Sequence, residues 1–155
     1  MKTVIRLVFL GLTAAVLSAA SPPLVSEGAS AATGKGTMTF GHDEEGIGFF
    51  EFNISAGTET TGKLLFAAEH HHHYPDIIVR VSKIDRARFG PGWVKFSTTG
   101  ALHDETVRVS GGAWDGAAAG KPDRFSIRCT NARGEVVLEA TGQLFKGDIV
   151  IGAAE

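Results

Sequence analysis

From Thr33 onward the chain alternates apolar and polar residues with a period of two, and this alternation limits its fold more than any other feature. Phe50, Phe52 and Ile54 alternate with Glu51 and Asn53. Phe125, Ile127 and Cys129 alternate with Ser126 and Arg128. Ile77, Val79 and Val81, then Val94 with Phe96, Val107 with Val109, and Val136, Leu138 and Ala140 make further sets. Successive side chains of an extended strand point to opposite faces, so each run has one face for a core and one for water. No helix-length stretch beyond residue 33 repeats apolar residues every 3.6 positions.

Glycine and proline punctuate these runs. Ala56-Gly57-Thr58, Gly90-Pro91-Gly92, Gly111-Gly112, Asn131 to Gly134 and Lys146-Gly147 each separate two strand-like segments. The last of these, between Leu144-Phe145 and Ile149-Val150, has the form of a tight hairpin. The count is about eight to ten short strands, which predicts an all-β domain, an antiparallel β-sandwich or β-barrel. Ten phenylalanines supply its core, while a lone Cys129 excludes a scaffold built on internal disulfides.

The N-terminus has a different grammar. Lys2 and Arg6 flank the apolar Val4 to Leu17, and Ser18-Ala19-Ala20 offers small residues for cleavage. This is the pattern of a secretory signal peptide, a helical segment over residues 1–20, with a second cleavage point at Ser30-Ala31-Ala32. The apolar stretch falls short of the roughly 20 residues that span a bilayer. Residues 21–35, rich in Ser, Ala and Pro, read as a flexible lead-in, and residues 36–155 as one all-β domain. Cleavage after Ala20 leaves 13 basic residues against 17 acidic ones, a net charge of −4. The linear sequence shows no basic stripe of the kind that neutralises phosphates, which argues against nucleic acid. A secreted or periplasmic domain with no integral membrane segment after cleavage is expected, and its partner is then an extracellular carbohydrate or protein.

The strand order resembles a known family. Gly46-Ile47-Gly48-Phe49-Phe50-Glu51-Phe52-Asn53 is followed by Gly62-Lys63-Leu64-Leu65-Phe66, Ala87-Arg88-Phe89-Gly90, Val107-Arg108-Val109, Pro122-Asp123-Arg124-Phe125-Ser126-Ile127 and Gly142 to Ile149. Over residues 36 to 151 this resembles the post-COAP type of secreted bacterial β-domain. The resemblance implies a β fold and an exported location, and assigns no activity or catalytic residue. Ser110 stands where that family often has an Asp, so an acidic-loop site there is not implied.

Three groups of residues are candidates for chemistry. Glu69-His70-His71-His72-His73-Tyr74 places His70 and His72 on one face of a strand. Two imidazoles so spaced can grip Zn²⁺, Cu²⁺ or Ni²⁺, with His42, Asp43 or His103 as a third ligand. Trp93 and Trp114 both adjoin glycine-rich turns, where an exposed indole can stack on a sugar ring and a buried one simply fills the core. The acidic turn His42-Asp43-Glu44-Glu45, and the pair Asp115 and Asp123, could hold Ca²⁺ or merely face solvent. No nucleophile elbow, zinc-protease helix, phosphate loop or dinucleotide fingerprint is present. These observations favour a non-enzymatic exported binding or structural module. A metal-binding protein working through His70 to His73, and a small hydrolase using two carboxylates, are the alternatives.

Overall fold

The structure is a computed structural model and describes residues 30–41, 46–70 and 77–153. The expected signal peptide lies outside them. Nine strands follow in order: β1 (Ser30–Phe40), β2 (Gly46–Ala56), β3 (Thr60–His70), β4 (Ile77–Val81), β5 (Arg86–Gly90), β6 (Trp93–Leu102), β7 (Glu105–Trp114), β8 (Arg124–Thr130) and β9 (Val136–Ala153). A short 3-10 turn at Ala117–Ala119 precedes β8. Every strand pairing is antiparallel, and the barrel, not the sandwich, is the outcome. β1 pairs with both β2 and β9, and β4 pairs with β6, closing a circle of eight strands that leaves β5 outside it.

β5 continues the line of β4 along the same edge of β6. Val79 pairs with Leu102 near the top of that edge, and Arg86 to Gly90 pair with Ser97 to Trp93 lower down. Between the two strands the chain turns inward to bury Ile84 completely. The Thr98 hydroxyl fixes this break by donating to the Lys83 carbonyl at 2.6 Å, with the Asp85 carboxylate 3.2 Å away.

The period-two pattern explains the interior. Phe50, Phe52, Phe66, Phe96 and Phe125 all turn inward and are buried. The Phe125 ring lies parallel to Phe50 at 4.2 Å between centroids, with Phe52, Phe66 and Phe96 at 5.9, 6.3 and 6.5 Å. Phenylalanine therefore fills the middle of the lumen, as side chains do in small barrels. The outward positions carry charged and hydroxyl residues such as Lys35, Glu51, Arg108 and Ser110. No helix among the described residues is long and apolar enough to cross a membrane.

Three local expectations are corrected. Residues 30–35, expected in a flexible lead-in, form the first half of β1; Ala32 is buried, and Lys35 makes a 3.2 Å ion pair with Glu51 on β2. The inward residues here are Ala32, Gly34 and Gly36, too small to register as an apolar alternation. A close approach explains their size: a Cβ on Gly34 would stand 2.5 Å from the Phe52 ring. Lys146-Gly147 is not a hairpin. β9 runs through it without reversing, and the β1–β9 register instead slips between Thr37 and Met38, where Lys146 and Leu144 are successive partners and Phe145 is the extra residue. Gly111 and Gly112 lie within β7 and do not end a strand. As a result the strands are longer than expected, ten or eleven residues for most and 18 for β9.

Candidate functional site on the outer wall

A filled lumen moves the search for a site to the outside and the rims. At one rim β3 ends at His70, whose backbone pairs with Gly46 at the start of β2. His103 lies in the β6–β7 turn at the same end of the barrel, exposed, with φ 53° and its backbone N–H donating to Ile78 O at 3.2 Å. His42 and His72, like Asp43 to Glu45, fall outside the described residues. Among the described residues, no three His, Cys, Asp or Glu side chains come together as a metal cage.

At the opposite rim the acidic pair has a structural task. The Asp123 carboxylate accepts the Gly116 N–H at 2.8 Å and the Ile149 N–H at 2.7 Å, and the Asp123 carbonyl accepts the Leu144 N–H at 2.9 Å. Asp115 accepts the Ala117 N–H at 2.9 Å. These bonds tie the loop before β8 to β9 at its irregular stretch, supplying acceptors for N–H groups that the ladder leaves unpaired. Cys129 is buried beside Phe125 and Ile127, and burial pushes its thiol up to about 11. It is therefore a protonated core side chain at neutral pH and not a nucleophile.

Both tryptophans lie on the outer wall. Trp93 and Trp114 are direct cross-strand partners on β6 and β7, at outward positions flanked by the inward Val94 and Ala113. Each indole covers a glycine: a Cβ on Gly90 would stand 2.3 Å from the Trp93 ring, and one on Gly112 would stand 2.8 Å from the Trp114 ring. Without side chains at Gly90 and Gly112, the rings can lie low against the sheet, and both remain partly exposed. The Lys95 ammonium sits 5.6 Å from the Trp93 ring centre, a cation–π contact.

Sequence reasoning missed the charge around them. The outward positions of β5 to β8 carry Arg86, Arg88, Lys95, Arg108, Arg124 and Arg128. Arg88 and Lys95 stand directly opposite each other across the β5–β6 ladder, an arrangement that costs stability. Glu139 on β9 is the cross-strand partner of Arg128 at the wall's edge. Among the described residues, however, only Lys35 and Glu51 are close enough to form an ion pair. Arg86 and Arg108 line one recess of about 620 Å³, together with Ser97, Thr99, Ser110, Thr130 and one acid, Asp85, whose carboxylate lies 3.2 Å from the Thr98 hydroxyl. The opposite wall is arranged differently. Its groove of about 1300 Å³ crosses β9, β1, β2 and β3, where Asp148, Lys35 and Glu51 form one row of alternating sign. In sequence the six cations of β5 to β8 are scattered over more than forty positions. The signal that finds them is their phase: each stands next to inward apolar or small residues, and strand pairing brings the outward set together.

No family model matches the chain, and no curated protein or solved structure matches it significantly.

Proposed function

We propose that the protein is an exported, non-enzymatic binding module that holds an extracellular carbohydrate on the wall formed by β5 to β8. The observation that carries this reading is the position of Trp93 and Trp114. They stand side by side on the outside of a barrel whose interior phenylalanine already fills. An indole held against a glycine is a rigid, partly exposed apolar plate, which loses little entropy when a sugar ring stacks on it. The engagement of Asp115 and Asp123 with backbone N–H groups supports binding over hydrolysis, since neither is a free carboxylate facing an open cleft. The signal-peptide pattern at residues 1–20 and the resemblance to secreted β-domains support export.

A glycan array probed with the mature chain tests the reading, with the bound glycan assayed afterwards for cleavage. We expect retention of intact glycan. Trp93→Ala and Trp114→Ala should each weaken binding about tenfold, the equivalent of roughly 1.4 kcal/mol, with the far-ultraviolet spectrum unchanged. Appearance of shortened glycan, or full affinity in both variants, would contradict the proposal. The sharing of one rim by the end of β3 and His103 favours a second reading, metal binding with His70 and His72 as ligands. Elemental analysis after dialysis decides it, because a stoichiometric transition metal lost in His70→Ala would support that reading.

A further inference from the structure

Resting on this reading of the wall, we infer that its ligand is an acidic polysaccharide, whose uronate carboxylates are held by the cations of β5 to β8, with Arg86 and Arg108 as the principal pair. The argument starts from charge. A mature chain of net charge −4 has nonetheless placed six cations on one wall, two of them as directly opposed neighbours, with no ion pair among the described residues to relieve them. An unpaired set of one sign loses stability through mutual repulsion and creates a local field that attracts the opposite sign. The other wall, with its alternating row, shows that this fold does not require such an arrangement.

The recess supplies the geometry. Arg86 and Arg108 line it together, and a guanidinium offers a planar pair of donors that fits a carboxylate oxygen for oxygen. Ser97, Thr99, Ser110 and Thr130 surround them with hydroxyls, which both donate and accept and so match the hydroxyls of a sugar ring; the one acid in the lining, Asp85, leaves two guanidinium charges against a single carboxylate. From Ser97 to Trp93 is four residues along β6, about 13 Å of strand. Lys95 and its partner Arg88 lie between the recess and the indoles. A chain of sugars crossing the wall would thus meet guanidinium, ammonium and indole in succession. A polymer of nucleotides would share the charge and the stacking. The hydroxyl lining and the export signature favour the polysaccharide.

The test compares three polymers on one protein. Mature wild-type chain is titrated with polygalacturonate, with its methyl-esterified form, which has the same backbone without the charge, and with double-stranded DNA. We expect binding to polygalacturonate that falls at least tenfold between about 50 and 200 mM salt, as release of condensed counterions requires. Binding should also fall at least tenfold in the double variant Arg86→Ser/Arg108→Ser, and stay unchanged in Lys63→Ser/Lys146→Ser on the opposite wall. Equal affinity for the esterified polymer would overturn the inference and leave the carbohydrate reading standing. Tighter binding to DNA would overturn it in favour of nucleic acid. Failure with all three polymers overturns it too; if the glycan array is also blank, the carbohydrate reading falls with it. Because Arg86 and Arg108 are exposed, equal melting temperatures of wild type and double variant are expected, and they separate lost binding from lost folding.

Discussion

Phe125→Ala will destabilise the protein by about 4 kcal/mol and lower its melting temperature by roughly 15 °C. The size follows from where the ring sits. Phe125 is fully buried, lies 4.2 Å from Phe50 in parallel stacking, and has Phe52, Phe66 and Phe96 within 6.5 Å. Truncation loses the transfer free energy of the ring and leaves a cavity bounded by four other aromatic side chains, each held on a different strand position of a closed barrel. Such a wall cannot collapse inward without breaking ladder hydrogen bonds. Phe125→Leu, which keeps most of the volume, should cost about half as much. Phe145→Ala is the matched surface control, because Phe145 is 61% exposed at the β9 irregularity and its truncation should stay within about 0.5 kcal/mol. Thermal and urea unfolding measure all three. Similar costs at Phe125 and Phe145 would mean that the lumen is not packed in this way.

The second large effect is expected at the seam where the barrel closes. Gly147 has φ 108°, in the region L-residues avoid, and faces β1 at the register slip. A Cβ there would lie 2.1 Å from the Lys35 carbonyl oxygen and 2.4 Å from the Gly36 Cα, both of them backbone atoms. Neither can swing away as a side chain does, so relief requires separating β1 from β9. Gly147→Ala should therefore carry a conformational cost of about 1 kcal/mol and a steric cost of about 2 kcal/mol more. Gly134→Ala isolates the first term. Gly134 also has positive φ, 81°, but a Cβ on it would meet nothing within 4 Å, and about 1 kcal/mol is expected. Urea midpoints of the two variants give the comparison. If Gly147→Ala were no worse than Gly134→Ala, β9 would not pass this close to β1.

What the sequence made legible divides along physical lines. The inward positions of β2 and β8 were readable because large apolar residues alternate there with polar ones, as in Phe50, Phe52 and Ile54 or Phe125, Ile127 and Cys129. The first half of β1 was not, because its lumen-facing residues are Ala32, Gly34 and Gly36, and smallness imposed by the Phe52 ring looks the same as a linker. Lys146-Gly147 reads as a turn in the sequence because a bulge and a hairpin both call on glycine at positive φ. Which of the two forms depends on β1 lying alongside, more than a hundred residues away in sequence. The choice of barrel over sandwich turned on the same kind of information, the β1–β9 and β4–β6 pairings. Trp93 and Trp114 were singled out by their glycines, and the structure shows those glycines lying beneath the indoles. The cationic wall escaped a linear search because no two of its members adjoin in sequence, and only the pairing of β5 to β8 assembles it.

The central claim is that this barrel binds on the outer wall of β5 to β8 and not in its lumen. An NMR titration of isotope-labelled protein with polygalacturonate tests it most directly, residue by residue. The account predicts amide shifts concentrated between Arg86 and Thr99 on β5 and β6 and between Arg108 and Arg128 on β7 and β8, with Gly34, Glu51 and Lys63 unmoved. Shifts centred on the lumen around Phe50 and Phe66, or on the wall that carries Lys35 and Glu51, would contradict it.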